Sequence, residues 1–173
     1  ARVMQISIER FTLIGATTRL GLLSRPLRDR FGIPLQLEFY QPTDLEKILI
    51  LNSKKLDIQL DHNASLEIAK RSRGTPRIAI RLLKRIVDFS IVQNRVVIDM
   101  DIVMDSLKQM QIDKEGLDEM DRKYLKCIAN DYNGGPVGVE TLSATLLEQR
   151  DIIEDVIEPY LMQKGLVQRT SRG

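Results

Sequence analysis

The chain has 173 residues, room for roughly one to three domains. Hydrophobic residues make up 43% and charged residues 29%, too apolar a balance for a disordered chain. The net charge of +2 is too small to argue nucleic-acid binding from the total, so that argument rests on where the charges sit.

The first block, residues 1–39, reads as a piece of an α/β domain. Phe11-Thr12-Leu13-Ile14-Gly15-Ala16 is a short apolar run ending in glycine, the pattern of a buried strand. Ser24-Arg25-Pro26-Leu27-Arg28-Asp29-Arg30-Phe31 predicts a helix with Pro near its first position, stopping at Gly32. Leu35-Gln36-Leu37-Glu38-Phe39 alternates apolar and polar, a second strand. These elements are too few to build a sheet, and the chain opens on Ala1-Arg2-Val3-Met4, with no signal-peptide pattern. It therefore reads as the C-terminal part of a longer protein.

The second block, residues 40–110, predicts a small helical bundle. Thr43-Asp44-Leu45-Glu46 has the form of a capping box, followed by an apolar face of Leu45, Ile48, Leu49 and Leu56. A second helix is expected over Ala64 to Arg71. A third starts at Thr75-Pro76, with Ile78, Leu82, Ile86 and Phe89 on one stripe, and a fourth follows Asp99. The third block, residues 111–173, places a helix over Leu117 to Ile128, then a stop at Asn133-Gly134-Gly135-Pro136. Two helices, Val139 to Leu147 and Arg150 to Lys164, precede a strand and a basic turn from Gly165 onward. Three helices, a strand and a basic loop is the order of a winged helix. The fold expected is mostly α: a fragment of an α/β core, a helical domain and a winged helix.

Several chemistries are missing from this sequence. No Gly-x-x-x-x-Gly-Lys-[Ser/Thr] loop occurs, and no apolar strand ends in Asp-Glu. With one histidine, His62, and one cysteine, Cys127, neither a His/Cys zinc site nor a His-based nucleophilic triad is expected. Cys127 lies on the apolar side of a helix and reads as a buried structural thiol. A single cysteine also fits a reducing cytoplasm. No apolar run approaches the ~18 residues needed to span a bilayer.

Arginines remain: Arg28 and Arg30, then Arg71, Arg73 and Arg77 around Gly74-Thr75-Pro76, then Arg169 and Arg172. The guanidinium presents a planar fork suited to phosphate oxygens, although each cluster also fits a solvated, ion-paired surface. Arg77 stands apart. It falls in the first turn of a helix, where unsatisfied N–H groups already carry partial positive charge. That placement is favoured by a bound anion or by a carboxylate from elsewhere in the fold.

Several strings, in order, resemble RuvB, a family of AAA+ ATPases that drive branch migration of four-way DNA junctions. They are Phe11 to Arg19, Pro26 to Gly32, Arg73 to Ala79, Asp113 to Asp121, Gly134 to Gly138, Glu158 to Leu161 and Gln168 to Gly173. The resemblance implies an AAA+ core remnant over 1–39, a lid over 40–110 and a winged-helix DNA-binding domain over 111–173. It implies that Thr18 is sensor 1, that Arg30 is an arginine finger acting in trans and that Arg77 is sensor 2. It places Tyr40 and Pro76 at the adenine and Arg169 and Arg172 in the DNA-contacting wing. It further implies ATP/ADP and Mg²⁺, a cytoplasmic homo-hexamer, four-way junction and duplex DNA, and RuvA and RuvC as partners. Residues 1–7 match the tail of a hairpin that docks on RuvA.

Two departures matter. The chain starts after the Walker A and B elements, so the phosphate-binding Lys and the acidic metal ligands are missing, and alone it is not expected to hydrolyse ATP. It also ends at Gly173, inside the wing, where the family pattern leads one to expect further strand residues; Ser171 in place of proline is a smaller change. Two other classes fit parts of the pattern: a non-enzymatic winged-helix DNA-binding adaptor, and another AAA+ replication ATPase. The helix Arg150 to Glu158 is strongly acidic, which argues against its insertion into a major groove.

Overall fold

The computed structural model describes residues 9–17 and 20–171, in two compact units, Ala1–Leu37 and Glu38–Gly173. In the first unit a 3₁₀ turn, Leu20–Leu22, precedes a short helix, α1 (Arg25–Arg28), with Pro26 in its first turn. The helix predicted as far as Phe31 thus ends early, and Asp29 and Arg30 form a turn. The strands predicted at 11–16 and 35–39 do not form. A strand needs a neighbour for its N–H and C=O groups, and the described residues offer none here. Ile14 and Leu37 accordingly stay 88% and 94% exposed.

The second unit begins with α2 (Pro42–Lys55). The capping box predicted at Thr43 is not made, because the helix starts earlier: Gln41 is the N-cap and Pro42 takes the first turn. Proline suits that position, since its missing N–H would have had no partner anyway. Glu46 instead turns inward, where it accepts a bond from Ser65 Oγ at 3.2 Å and lies 2.6 Å from His62 Nδ1. Strand β1 (Gln59–Leu60) leads into α3 (His62–Lys70), and β2 (Val97–Ile98) follows α4 (Pro76–Val92) and precedes α5 (Met100–Gln109). The two strands pair in parallel, Gln59 with Val97 and Leu60 with Ile98. Their short ladder aligns the starts of α3 and α5, each capped by an aspartate. Asp61 accepts from the N–H groups of Asn63 and Ala64, and Asp99 from that of Ile102. Asp61→Ala is expected to lower stability by ~1 kcal/mol, read from a urea-denaturation midpoint; an unchanged midpoint would remove the cap from the account.

The third part of the chain folds into α6 (Glu119–Lys126), α7 (Val139–Leu146), α8 (Arg150–Ile152) and α9 (Glu158–Gln163). A π-helical turn, Cys127–Asp131, extends α6, and another, Ile153–Ile157, joins α8 to α9 into the long helix expected there. The terminal strand does not form among the described residues, since no other strand lies beside it. Two separate cores result. Leu45, Leu49, Ile68, Leu83, Ile86 and Ile102 centre the first. Leu117, Tyr124, Leu142, Ile153, Ile157 and Leu161 centre the second. Cys127 is buried in the second core, and burial pushes its thiol pKa up, as befits an inert structural thiol.

Candidate functional site

The turn between α3 and α4 gathers three arginines and gives each a different environment. Arg71 ends α3 with its guanidinium buried. Its Nε donates to Glu67 at 2.8 Å, and it reaches the Ile112 carbonyl at 3.3 Å. Arg73 and Gly74 follow in left-handed conformations, φ 52° and 64°. Gly74 is required here, because a Cβ would lie 2.7 Å from Phe39 Cβ. Its carbonyl accepts the Tyr40 N–H at 2.8 Å. This bond brings the half-exposed Tyr40 beside the turn that carries Pro76.

Arg77 lies exposed in the first turn of α4. Thr75 is the N-cap, but its hydroxyl donates to the Arg73 carbonyl at 3.1 Å and leaves the helix end without a side-chain cap. Among the described residues Arg77 has no ion-pair partner, whereas Arg71 and Arg85 each have one and Arg73 has two. The carboxylate alternative for Arg77 is therefore not met within the described residues. A free guanidinium at an uncapped helix start is an arrangement that favours an anion.

The remaining candidates are dispersed. Arg30 sits exposed in the turn after α1, its N–H bonded to the Leu27 carbonyl at 3.2 Å. Thr18 and Arg172 lie outside the described residues. Arg169 is half exposed and folded back onto the long helix. Its Nε donates to Glu158 at 2.8 Å and a second nitrogen donates to Glu154 at 3.0 Å. Glu158 is buried and also accepts the Tyr124 hydroxyl at 2.9 Å. Burial and the neighbouring Glu158 carboxylate push the Tyr124 pKa far up, so this hydroxyl stays a donor.

Arg71, Arg73 and Arg77 form one cluster in the sequence, which marks Asp118 and Asp121 only as part of the Asp113 to Asp121 string. These two form a reciprocal cap for α6, each side chain bonding the other's backbone N–H. The three-residue spacing of two acids before an amphipathic helix was the available signal.

Comparison with known proteins sets these features in a family. Residues 1–37 match a model of the Holliday junction DNA helicase RuvB P-loop domain, 40–113 the RuvB AAA lid domain and 114–173 the RuvB C-terminal winged helix domain. The chain belongs to the RuvB family. It is 59% identical over all 173 residues to the Holliday junction branch migration complex subunit RuvB of Rickettsia africae, and 58% identical to that of Orientia tsutsugamushi strain Ikeda. It spans 51% and 53% of those two relatives, about half of each. A solved structure, the Thermotoga maritima RuvB Holliday junction branch migration motor, superposes with a TM-score of 0.90 at 51% identity. That match covers 96% of this chain and 56% of the other. The RuvB lid thus contains the α3–α4 turn, and the RuvB winged helix begins just after the Ile112 carbonyl held by Arg71.

Proposed function

We propose that this chain is the C-terminal half of an ATP-driven RuvB motor that moves four-way DNA junctions in recombination and repair. The observation that carries the reading is the unbroken succession of RuvB core, lid and winged-helix matches along the chain. Residues 1–39 supply part of the ATPase core, 40–110 the lid and 111–173 the DNA-binding domain.

Within that reading Arg77 is the lid's phosphate contact, supported by a guanidinium with no ion-pair partner among the described residues and by the uncapped start of α4. Tyr40 offers a half-exposed ring for stacking on the adenine, and Pro76 an apolar surface beside it. Thr18 senses the terminal phosphate. Arg30 acts on the nucleotide of a neighbouring copy in a six-membered cytoplasmic ring. Mg²⁺ would supply charge neutralisation at the phosphates, and no residue of this chain is assigned to hold it. Arg169 and Arg172 touch the DNA backbone; the Glu154 and Glu158 bonds hold Arg169 in place with half its side chain exposed. RuvA positions the ring on the junction, and RuvC acts on the same junction. Contacts of this kind go to phosphates and carry little sequence preference.

The test uses the complete protein with RuvA and a fluorescently labelled four-way junction. ATP-dependent conversion of the junction into two duplexes is expected, with none when the nucleotide cannot be hydrolysed. A folded, ATP-hydrolysing protein that leaves the junction intact would refute the motor reading.

A further inference from the structure

We infer that Arg73 is a positioning residue that makes the winged-helix domain follow the lid. The inference rests on the motor reading above.

The lid and the winged helix are built on separate apolar cores, so among the described residues no shared buried cluster fixes one against the other. What joins them is largely polar and centres on Arg73. Its backbone belongs to the α3–α4 turn of the lid, while its side-chain partners belong to the winged helix. Nε donates to the Gly116 carbonyl at 2.9 Å. A second nitrogen donates to Asp118 at 3.2 Å and to Asp121. The guanidinium also lies over the Tyr160 ring, 5.0 Å from its centre. Tyr160 in turn donates its hydroxyl to the Glu115 carbonyl at 2.5 Å. One side chain therefore holds the segment leading into α6, the cap of α6 itself and the face of α9.

Two further contacts act in the same place. Arg71 reaches the Ile112 carbonyl, and Gly116 passes so close to the Arg71 carbonyl that a Cβ would lie 2.8 Å from it. The Arg73 side chain is 13% exposed, so water competes poorly for these bonds. Four residues beyond Arg73, in the first turn of the helix that follows, stands Arg77. A displacement of Arg77 by nucleotide chemistry moves a turn whose neighbour is tied to α6 and α9. Arg73 touches no nucleotide in this scheme; it fixes how far and in which direction the DNA-contacting domain travels.

The experiment measures two rates in the complete protein: ATP turnover without DNA, and junction conversion per ATP hydrolysed. Arg73→Ala is expected to keep DNA-free turnover near the wild-type value and to lower conversion per ATP by about tenfold. Arg73→Lys keeps the charge but loses the fork, and is expected to recover part of that yield. A merely structural role would lower both rates together and would overturn the inference, as would an unchanged yield per ATP. Should Arg73→Ala fail to fold, Tyr160→Leu removes the ring and the Glu115 bond and must show the same selective loss. A wild-type protein that moves no junctions defeats the motor reading itself. A working wild type with a fully coupled Arg73→Ala variant defeats only the present inference.

Discussion

Replacing Arg30 with alanine in the complete protein is expected to leave ATP binding intact and to slow hydrolysis by ~10³-fold or more. The side chain stands exposed in the turn after α1, with no ion-pair partner among the described residues. Proline in the first turn of α1 and backbone bonds from Arg30 to Leu27 and from Phe31 to Arg28 fix where the turn points. An arginine of this kind is available to a phosphate on another copy. A guanidinium aimed at charge that develops only in the transition state changes turnover far more than affinity. Mixing separates action in trans from action in cis. Arg30→Ala subunits combined with subunits whose phosphate-binding loop is disabled should regain part of the turnover, because some mixed interfaces are complete. Wild-type turnover by Arg30→Ala alone ends the proposal.

Asp121→Ala is expected to produce the largest loss of stability among the polar sites, ~3 kcal/mol in urea denaturation. Asp121 is 1% exposed. It accepts the Asp118 N–H at 2.9 Å and the Arg73 guanidinium, and its own N–H bonds Asp118 at 3.0 Å. Alanine therefore removes the reciprocal half of the α6 cap, the bond to the Asp118 N–H, and leaves Arg73 with Asp118, the Gly116 carbonyl and the Tyr160 ring. Asparagine keeps the shape and should cost less.

The pH dependence separates the charge from the shape. Burial, the strongest influence, raises the Asp121 pKa above the usual carboxylate value, against the opposing pull of the Asp118 N–H and of Arg73. A folded-state pKa above the unfolded one contributes stability that is full below the unfolded pKa. That contribution is lost as pH rises through the folded pKa. The gap between wild type and Asp121→Asn should therefore narrow as pH rises through the acid range and stay flat near neutrality. A gap that widens over that range would mean the ion pair outweighs burial.

Much of the helical order is legible in the sequence, because local chemistry decides it. Asp99 caps α5, and Thr75-Pro76 opens α4, where the residue types and their spacing place them. Thr43 misleads because Pro42, just before it, is the stronger start signal. The predicted strands fail for a non-local reason: a strand exists only beside another, and Phe11 to Ala16 find none among the described residues. The site is legible in part. Arg77 can be picked out because a cation at a helix start is locally unfavourable. Nothing local distinguishes Arg73 from its neighbours, since its partners Asp118, Asp121 and Tyr160 lie more than forty positions away. The bonds of Arg169 to Glu154 and Glu158 likewise depend on a return of the chain that no spacing rule supplies.

The left-handed backbone at Arg73 carries a consequence for how this position varies. A non-glycine residue there gives up about 1–2 kcal/mol of conformational comfort, and glycine would recover it. Glycine already occupies the next position, so the turn tolerates the smallest residue. An arginine held against its own backbone preference means that the side chain is worth more to the molecule than the relief. Among substitutions at position 73 only glycine would relax the turn, and it would leave the buried Asp121 without its guanidinium partner, so the backbone relief is set against a broken ion pair.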